Sequence, residues 1–178
     1  MFSPDGTKIA FIRSEDVAAG YHGVTYVANA DGSHVRRITE PEPCFIRPDW
    51  SPDGTKLVAF AHFCNPRPEE IAVVNSDGSG PVHYLTHNGL DYFGGFHDQN
   101  PAFSPDGQFI VFQRNAPDYS SSAIYVMKAD GTESHAVTLL RPKIKPADKG
   151  SPPSLKGRRK LTKIEAGGSV PRWGVAAE

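Results

Sequence analysis

The sequence holds no apolar run approaching the ~20 residues that a bilayer-spanning helix needs, and its two cysteines allow one internal bridge at most. Neither sign of charge dominates, with 19 Lys+Arg against 20 Asp+Glu, so nothing in the balance calls for nucleic acid or an anionic membrane. There is no Gly-x-Ser-x-Gly elbow, no Gly-rich phosphate loop and no His-Glu-x-x-His pair. Those absences remove the common nucleophile, nucleotide and zinc-hydrolase chemistries, so the expectation is no enzyme, no cofactor and no metal. A secretory signal is also missing. Met1 runs straight into a patterned segment with no basic region or apolar stretch.

What the sequence does have is a unit written three times. Phe2-Ser-Pro-Asp-Gly-Thr-Lys-Ile-Ala-Phe11 returns as Trp50-Ser-Pro-Asp-Gly-Thr-Lys-Leu-Val-Ala-Phe60 and as Phe103-Ser-Pro-Asp-Gly-Gln-Phe-Ile-Val-Phe112, at starts 48 and 53 residues apart. A second turn motif keeps step: Ala30-Asp31-Gly32, Ser76-Asp77-Gly78 and Ala129-Asp130-Gly131. Ile38-Thr39, Leu85-Thr86 and Val137-Thr138 close the copies. Periods of this size mark propellers and repeat arrays.

Residues 7–13, 56–61 and 108–114 predict one set of strands, and 25–29, 71–75 and 124–128, rich in Val, Ile and Tyr, predict another. The apolar residues do not alternate: Ile9, Ala10, Phe11 and Ile12 are consecutive. A sheet buried on both faces has that pattern. Asp5-Gly6, Asp53-Gly54 and Asp106-Gly107, with Asp31-Gly32, Asp77-Gly78 and Asp130-Gly131, supply turn chemistry. Aspartate bonds the nearby backbone and glycine accepts positive φ. Each unit thus reads as four antiparallel strands, a to d. The predicted fold is all-β: a partial β-propeller of about three four-stranded blades plus extra strands.

The succession aromatic-Ser-Pro-Asp-Gly, Ile-Ala-Phe, Ile-Tyr-Val-Met-x-Ala-Asp-Gly and Leu-Thr resembles the repeat of TolB-like β-propellers over residues 1–140. The predicted blades cover about 1–39, 47–86 and 99–139. Residues 141–160 are basic and Pro-rich, which predicts a linker or insertion. In 161–178, Leu161-Thr162 followed by Trp173 looks like a degenerate strand a. Three copies cannot close a ring of four to eight blades. The expectation is therefore a truncated chain, or self-association through open propeller edges.

Because strand direction alternates, the uniform turns share one end of the blades and the variable loops share the other. The variable loops are 14–23, 40–47, 62–69, 87–100 and 115–122, and function is expected there. The longest holds the candidate binding residues Tyr92, Phe93, Phe96, His97 and Asp98. His87, His97, Asp98 and Gln99 have metal-ligating side chains at irregular spacing; a solvated loop with exposed aromatics is the favoured reading. Recurrence of Asp5, Asp53 and Asp106 at one turn position points to backbone hydrogen bonding, not to calcium. Cys44 and Cys64 fall at the same end of one predicted hairpin. They form a disulfide there, or stand as two thiols in adjacent loops.

The resemblance implies a non-catalytic scaffold that binds protein partners, periplasmic or secreted, in the cell envelope. Related repeats also occur in propellers attached to prolyl-oligopeptidase-like hydrolases and in polysaccharide lyases. The alternative expectation is therefore a hydrolase or lyase propeller with the loop face as its substrate or metal site.

Overall fold

The computed structural model of the chain describes residues 1–17, 20–40, 44–62, 68–89, 93–137 and 141–142. Those residues form strands and turns, with no helix among them. Three antiparallel sheets follow one another along the chain. The first contains β1 (Lys8–Val17), β2 (Gly20–Asn29) and β3 (Arg36–Arg37) in that order. The second is β4 (Cys44–Trp50), β5 (Lys56–His62), β6 (Glu70–Asn75) and β7 (His83–Tyr84). The third is β8 (His97–Phe103), β9 (Phe109–Asn115), β10 (Ser121–Lys128) and β11 (His135–Ala136), with β12 (Arg141–Pro142) also paired to β10. The protein is an all-β partial propeller, one sheet to a blade.

The first blade opens on the end of strand a, the single bridge from Phe2 to Ile9, supported by Met1 donating to the Ala10 carbonyl at 2.8 Å. Two boundaries differ from the sequence reading. The loop expected over 14–23 is largely sheet, because the β1–β2 ladder continues past Ser14↔Gly23 to Val17↔Gly20. An antiparallel ladder needs only backbone partners, so polar residues extend it beyond the apolar core. The start of the expected linker pairs as well, Arg141 and Pro142 lying opposite Ser122 and Ser121. The rest of 141–160, and all of 161–178, lie outside the described residues.

The repeated turn is one hydrogen-bond device built three times. In the first copy the Ser3 hydroxyl donates to Asp5 at 2.6 Å and accepts the Lys8 N–H at 2.9 Å, while Asp5 accepts the Thr7 N–H at 3.0 Å. Ser51 with Asp53 and Ser104 with Asp106 repeat the 2.6 Å bond. The serine hydroxyl, then the backbone N–H two residues on, hold Asp5 down at about 2 and lower Asp53 and Asp106 as well. The closing threonine has an equally local task. Thr39 accepts the Thr25 N–H at 3.0 Å and Thr86 accepts the Ile71 N–H at 2.9 Å, tying the ends of the first two blades to their third strands.

Blades stack through residues that alternate along each strand. On β5, Leu57, Ala59 and Ala61 pack toward the first blade with Ala10, Val27 and Phe45. Val58 and Phe60 pack toward the third with Ile110, Phe112 and Met127. Both faces of the middle blade are therefore buried, which is why its apolar residues run consecutively.

The Asp-Gly turns also serve this stacking. Gly78 and Gly131 have φ of 71° and 88°, and a Cβ there would lie 3.2 Å from the Arg37 carbonyl oxygen and 3.0 Å from that of Leu85. Gly32 has the same backbone (φ 84°) but meets nothing within 4 Å. Alanine at either Gly32 or Gly131 should cost about 1–2 kcal/mol for the left-handed conformation. Gly131→Ala should lose about 1 kcal/mol or more beyond Gly32→Ala, because the backbone of the preceding blade must move. Urea unfolding of the two variants measures this, and equal losses would contradict the stacking geometry.

Candidate functional site on the loop face

The chemistry-bearing side chains gather where the second and third blades meet at the loop end. His62 ends β5, Glu69 immediately precedes β6, His97 and Asp98 open β8, Arg114 lies near the end of β9, and Tyr119 sits in the β9–β10 turn. That turn is fixed by the Tyr119 N–H donating to Ala116 at 2.8 Å, with Tyr119 at φ 55°.

Glu69 is the hub of one half. Its carboxylate bonds His97 Nδ1 through Oε2 and His62 Nδ1 through Oε1, the latter at 3.1 Å, and accepts the Tyr119 hydroxyl at 3.1 Å. The Tyr119 ring stacks on His97 with centroids 4.6 Å apart. Burial pushes the Glu69 carboxyl up. The His62 hydrogen bond and the His97 charge outweigh burial and bring the carboxyl down to about 2. The Glu69 hydrogen bond raises His62 against the opposing effect of its burial.

Asp98 is the hub of the other half. It is fully buried and takes Arg114 Nε and Nη2 in two bonds of 2.7 Å, with Asn88 Nδ2 at 2.9 Å. The guanidinium lies over the Tyr125, Phe112 and Phe96 rings at 4.7, 5.5 and 5.7 Å. The halves are tied by backbone, since the Asp98 N–H and Asn88 Nδ2 both donate to the Glu69 carbonyl, at 3.0 and 2.9 Å.

A pH dependence follows from these directions. The Glu69 contribution is present above the ordinary carboxylate value of 4.5 and fades as pH falls toward about 2. The His62 contribution is full below its ordinary 6.5 and is lost as pH rises through its raised value. The cluster should be tightest between 4.5 and 6.5. Hydrogen exchange at the Asp98 amide, corrected for intrinsic rates, should show protection that declines above neutrality in the native chain and not in His62→Gln. Flat protection from about pH 5 to 8 in the native chain would overturn this.

Of the candidate binding residues, His97 and Asp98 are both 0% exposed and pair with Glu69 and Arg114. Phe93 and Phe96, by contrast, are 81% and 44% exposed, on the loop just ahead of them. Tyr92 lies outside the described residues, as does Cys64. Cys44 is buried at the start of β4, where its sulfur accepts the Gly23 N–H at 3.4 Å. No group of three His, Cys, Asp or Glu side chains among the described residues is placed to hold a metal.

One concavity adjoins the cluster and a second lies apart from it. One of about 440 Å³ lies beside Phe96 and is lined by Thr86, His87, Asn88, Gly95 and Arg114. The other, about 590 Å³, runs along the first strands of the blades past Met1, Arg47, Trp50, Asn100 and Phe103. Arg47 and Asn100 occupy equivalent bulges in β4 and β8, each with positive φ, and are joined by a 2.9 Å hydrogen bond.

Repeats, blade stacking and turn devices together define a β-propeller segment whose repeats resemble those of TolB-like propellers. No family model matches the chain. Among curated proteins it is 32% identical over 74 residues to the Tol-Pal system protein TolB of Syntrophus aciditrophicus, a match covering 42% of this chain and 16% of that protein. It is 24% identical over 163 residues to the uncharacterized peptidase YuxL of Bacillus subtilis, covering 71% of this chain and 23% of that protein. The chain thus spans a quarter or less of the length of these two relatives. Among solved structures, a putative TolB from Agrobacterium tumefaciens superposes with a TM-score of 0.63 at 24% identity, over 76% of this chain and 46% of that one. An oligogalacturonate lyase in complex with manganese superposes with a TM-score of 0.60 at 13% identity, over 79% and 40%. Likenesses at these identities establish the fold and leave chemistry to the site itself.

Proposed function

We propose that the chain is a non-catalytic binding scaffold of the cell envelope. Its contact surface is the loop face, and its reach into a protein partner is through Phe93 and Phe96. The observation that carries this reading is the contrast within one loop. His97 and Asp98 are buried and internally paired, while the aromatic side chains of Phe93 and Phe96 are exposed. Exposed aromatics beside a polar rim are what protein interfaces favour, since they bury much area at little cost in side-chain entropy. Likeness to TolB proteins supports the scaffold role and the envelope location. An oxidising compartment would also allow a bridge between Cys44 and Cys64.

The other reading, a hydrolase or lyase propeller, draws on the peptidase and lyase relatives and on the Glu69–His97–Tyr119 arrangement. One comparison separates the two. A photo-crosslinking phenylalanine analogue at position 93, expressed in a bacterial envelope, should give a protein adduct that Phe96→Ser diminishes. Purified chain should leave polygalacturonate and prolyl peptides unchanged. Turnover of either substrate that disappears in His97→Gln would establish the enzymatic reading instead.

A further inference from the structure

We propose that a concavity beside Arg47, between the second and third blades, binds a carboxylate group. It has a volume of about 410 Å³ and is lined by Ile46 and Arg47 of β4, Phe60 of β5, Gln99 and Asn100 of β8 and Gln113 of β9. Ile46, Gln99 and Gln113 each lie two residues from the loop end of their strands, so the site belongs to the face that carries the variable loops.

Its polar side chains are joined in one direction. Arg47 Nη1 donates to Asn100 Oδ1 at 2.9 Å, and Asn100 Nδ2 donates to Gln113 Oε1 at 3.2 Å. Gln113 Nε2 donates to Asn115 Oδ1 at 2.8 Å. Asn115 Nδ2 in turn donates to Gln99 Oε1 at 3.4 Å and to the His97 carbonyl at 3.2 Å. Each carboxamide oxygen in this chain is therefore engaged by a neighbour's N–H. A carboxamide nitrogen carries two hydrogens and a guanidinium five, so the unspent capacity is mainly donors. It comprises the second hydrogens of Asn100 Nδ2 and Gln113 Nε2, both hydrogens of Gln99 Nε2, and most of the Arg47 fork.

The cation lacks a counter-charge. Arg114 is held by Asp98, and Arg37 by Glu15 and Glu40. Among the described residues no carboxylate pairs with Arg47, and no acidic side chain lines the concavity. The donors are nevertheless held in place. Asn100 and Asn115 are 9% and 5% exposed, fixed in the packing between blades. Arg47 and Asn100 have φ of 54° and 55°, each just ahead of a proline, where a residue other than glycine is ordinarily extended. A bulge of this kind re-aims a side chain out of the strand's alternation, and here it brings Arg47 against Asn100.

A carboxylate fits this set. One guanidinium balances one negative charge, and its planar fork with neighbouring amide N–H groups matches two carboxylate oxygens. Ile46 and Phe60 offer apolar contact to the carbon next to the carboxylate. The group arrives as a free anion or on an Asp or Glu side chain of a protein segment.

Side-chain amide NMR on the full, isotope-labelled chain tests this with three probes: acetate, the capped tripeptide Ala-Glu-Ala and its Ala-Gln-Ala counterpart. Both carboxylate probes should shift the Asn100, Gln99 and Gln113 amide signals in the millimolar range, and the glutamine peptide should not. A glutamate peptide bound about tenfold tighter than acetate assigns the carboxylate to a protein segment, and equal affinities assign it to a free anion. Arg47→Gln, with its β-sheet circular dichroism retained, should weaken both by about tenfold or more. Gln99→Glu keeps the size of the side chain and an oxygen for Asn115. It places a negative charge in the concavity with Arg47 and should abolish the response to both carboxylates. No shift from either carboxylate, an equal shift from the glutamine peptide, or a response that survives Gln99→Glu would each overturn the proposal. None of these outcomes involves Phe93 or Phe96, so this site and the scaffold reading stand or fall separately.

Discussion

Replacing Arg114 with leucine should destabilise the chain by about 3–5 kcal/mol, because it leaves the buried Asp98 carboxylate without its cation. Asp98 is 0% exposed, and two of its three bonds from side chains come from Arg114. The guanidinium also covers the Tyr125 and Phe112 rings, so its loss removes packing together with charge. The comparison that isolates the charge is the double variant Asp98→Leu, Arg114→Leu. It should be less damaging than Arg114→Leu alone, since removing both partners leaves no stranded ion. Urea unfolding with matched m-values measures both. A loss under about 1 kcal/mol for Arg114→Leu would mean the pair is solvated, contrary to the burial described.

The second large effect is expected at Phe112. It is fully buried between the middle and third blades, among Val58, Phe60, Ile71 and Met127. Phe112→Ala should cost about 3–5 kcal/mol, part of it from a cavity that two β-sheets cannot easily collapse. The equivalent change at the partly buried Phe11 should cost about 1 kcal/mol. Similar losses at the two sites would contradict the difference in their burial.

The scaffold of the fold was legible because it is local. Ser-Pro-Asp-Gly and Asp-Gly place their own hydrogen bonds within five residues, so three in-phase copies reveal the turns, the strands between them and the blade period. Consecutive apolar residues, read at Ile9 to Ile12, pointed to a sheet buried on both sides; the middle strand β5 has that burial, whereas Ile12 on β1 is 39% exposed. The site was less legible for the opposite reason. Glu69, His97 and Tyr119 come from three segments spread over 50 residues, and they meet only because the second and third blades stack. The loops at 62–69, 87–100 and 115–122 stood out as variable, but nothing local marks Glu69 as the hub among them. His97 and Asp98 were read as loop residues because strand β8 begins earlier than its apolar pattern. The bulge at Asn100, with φ 55° and a shifted register, breaks the alternation just where the strand would have been recognised.

The central claim is that three repeats form three stacked blades, with the loop-face cluster at the second interface. Methyl-labelled NMR tests it most directly. The account predicts nuclear Overhauser contacts from Val58 and Ile71 of the middle blade to Ile110 and Met127 of the third, and from Leu57 and Val74 to Val27 of the first. Contacts from Leu57 to Ile110, which would place both neighbours on one face of the middle sheet, or none between blades, would contradict it.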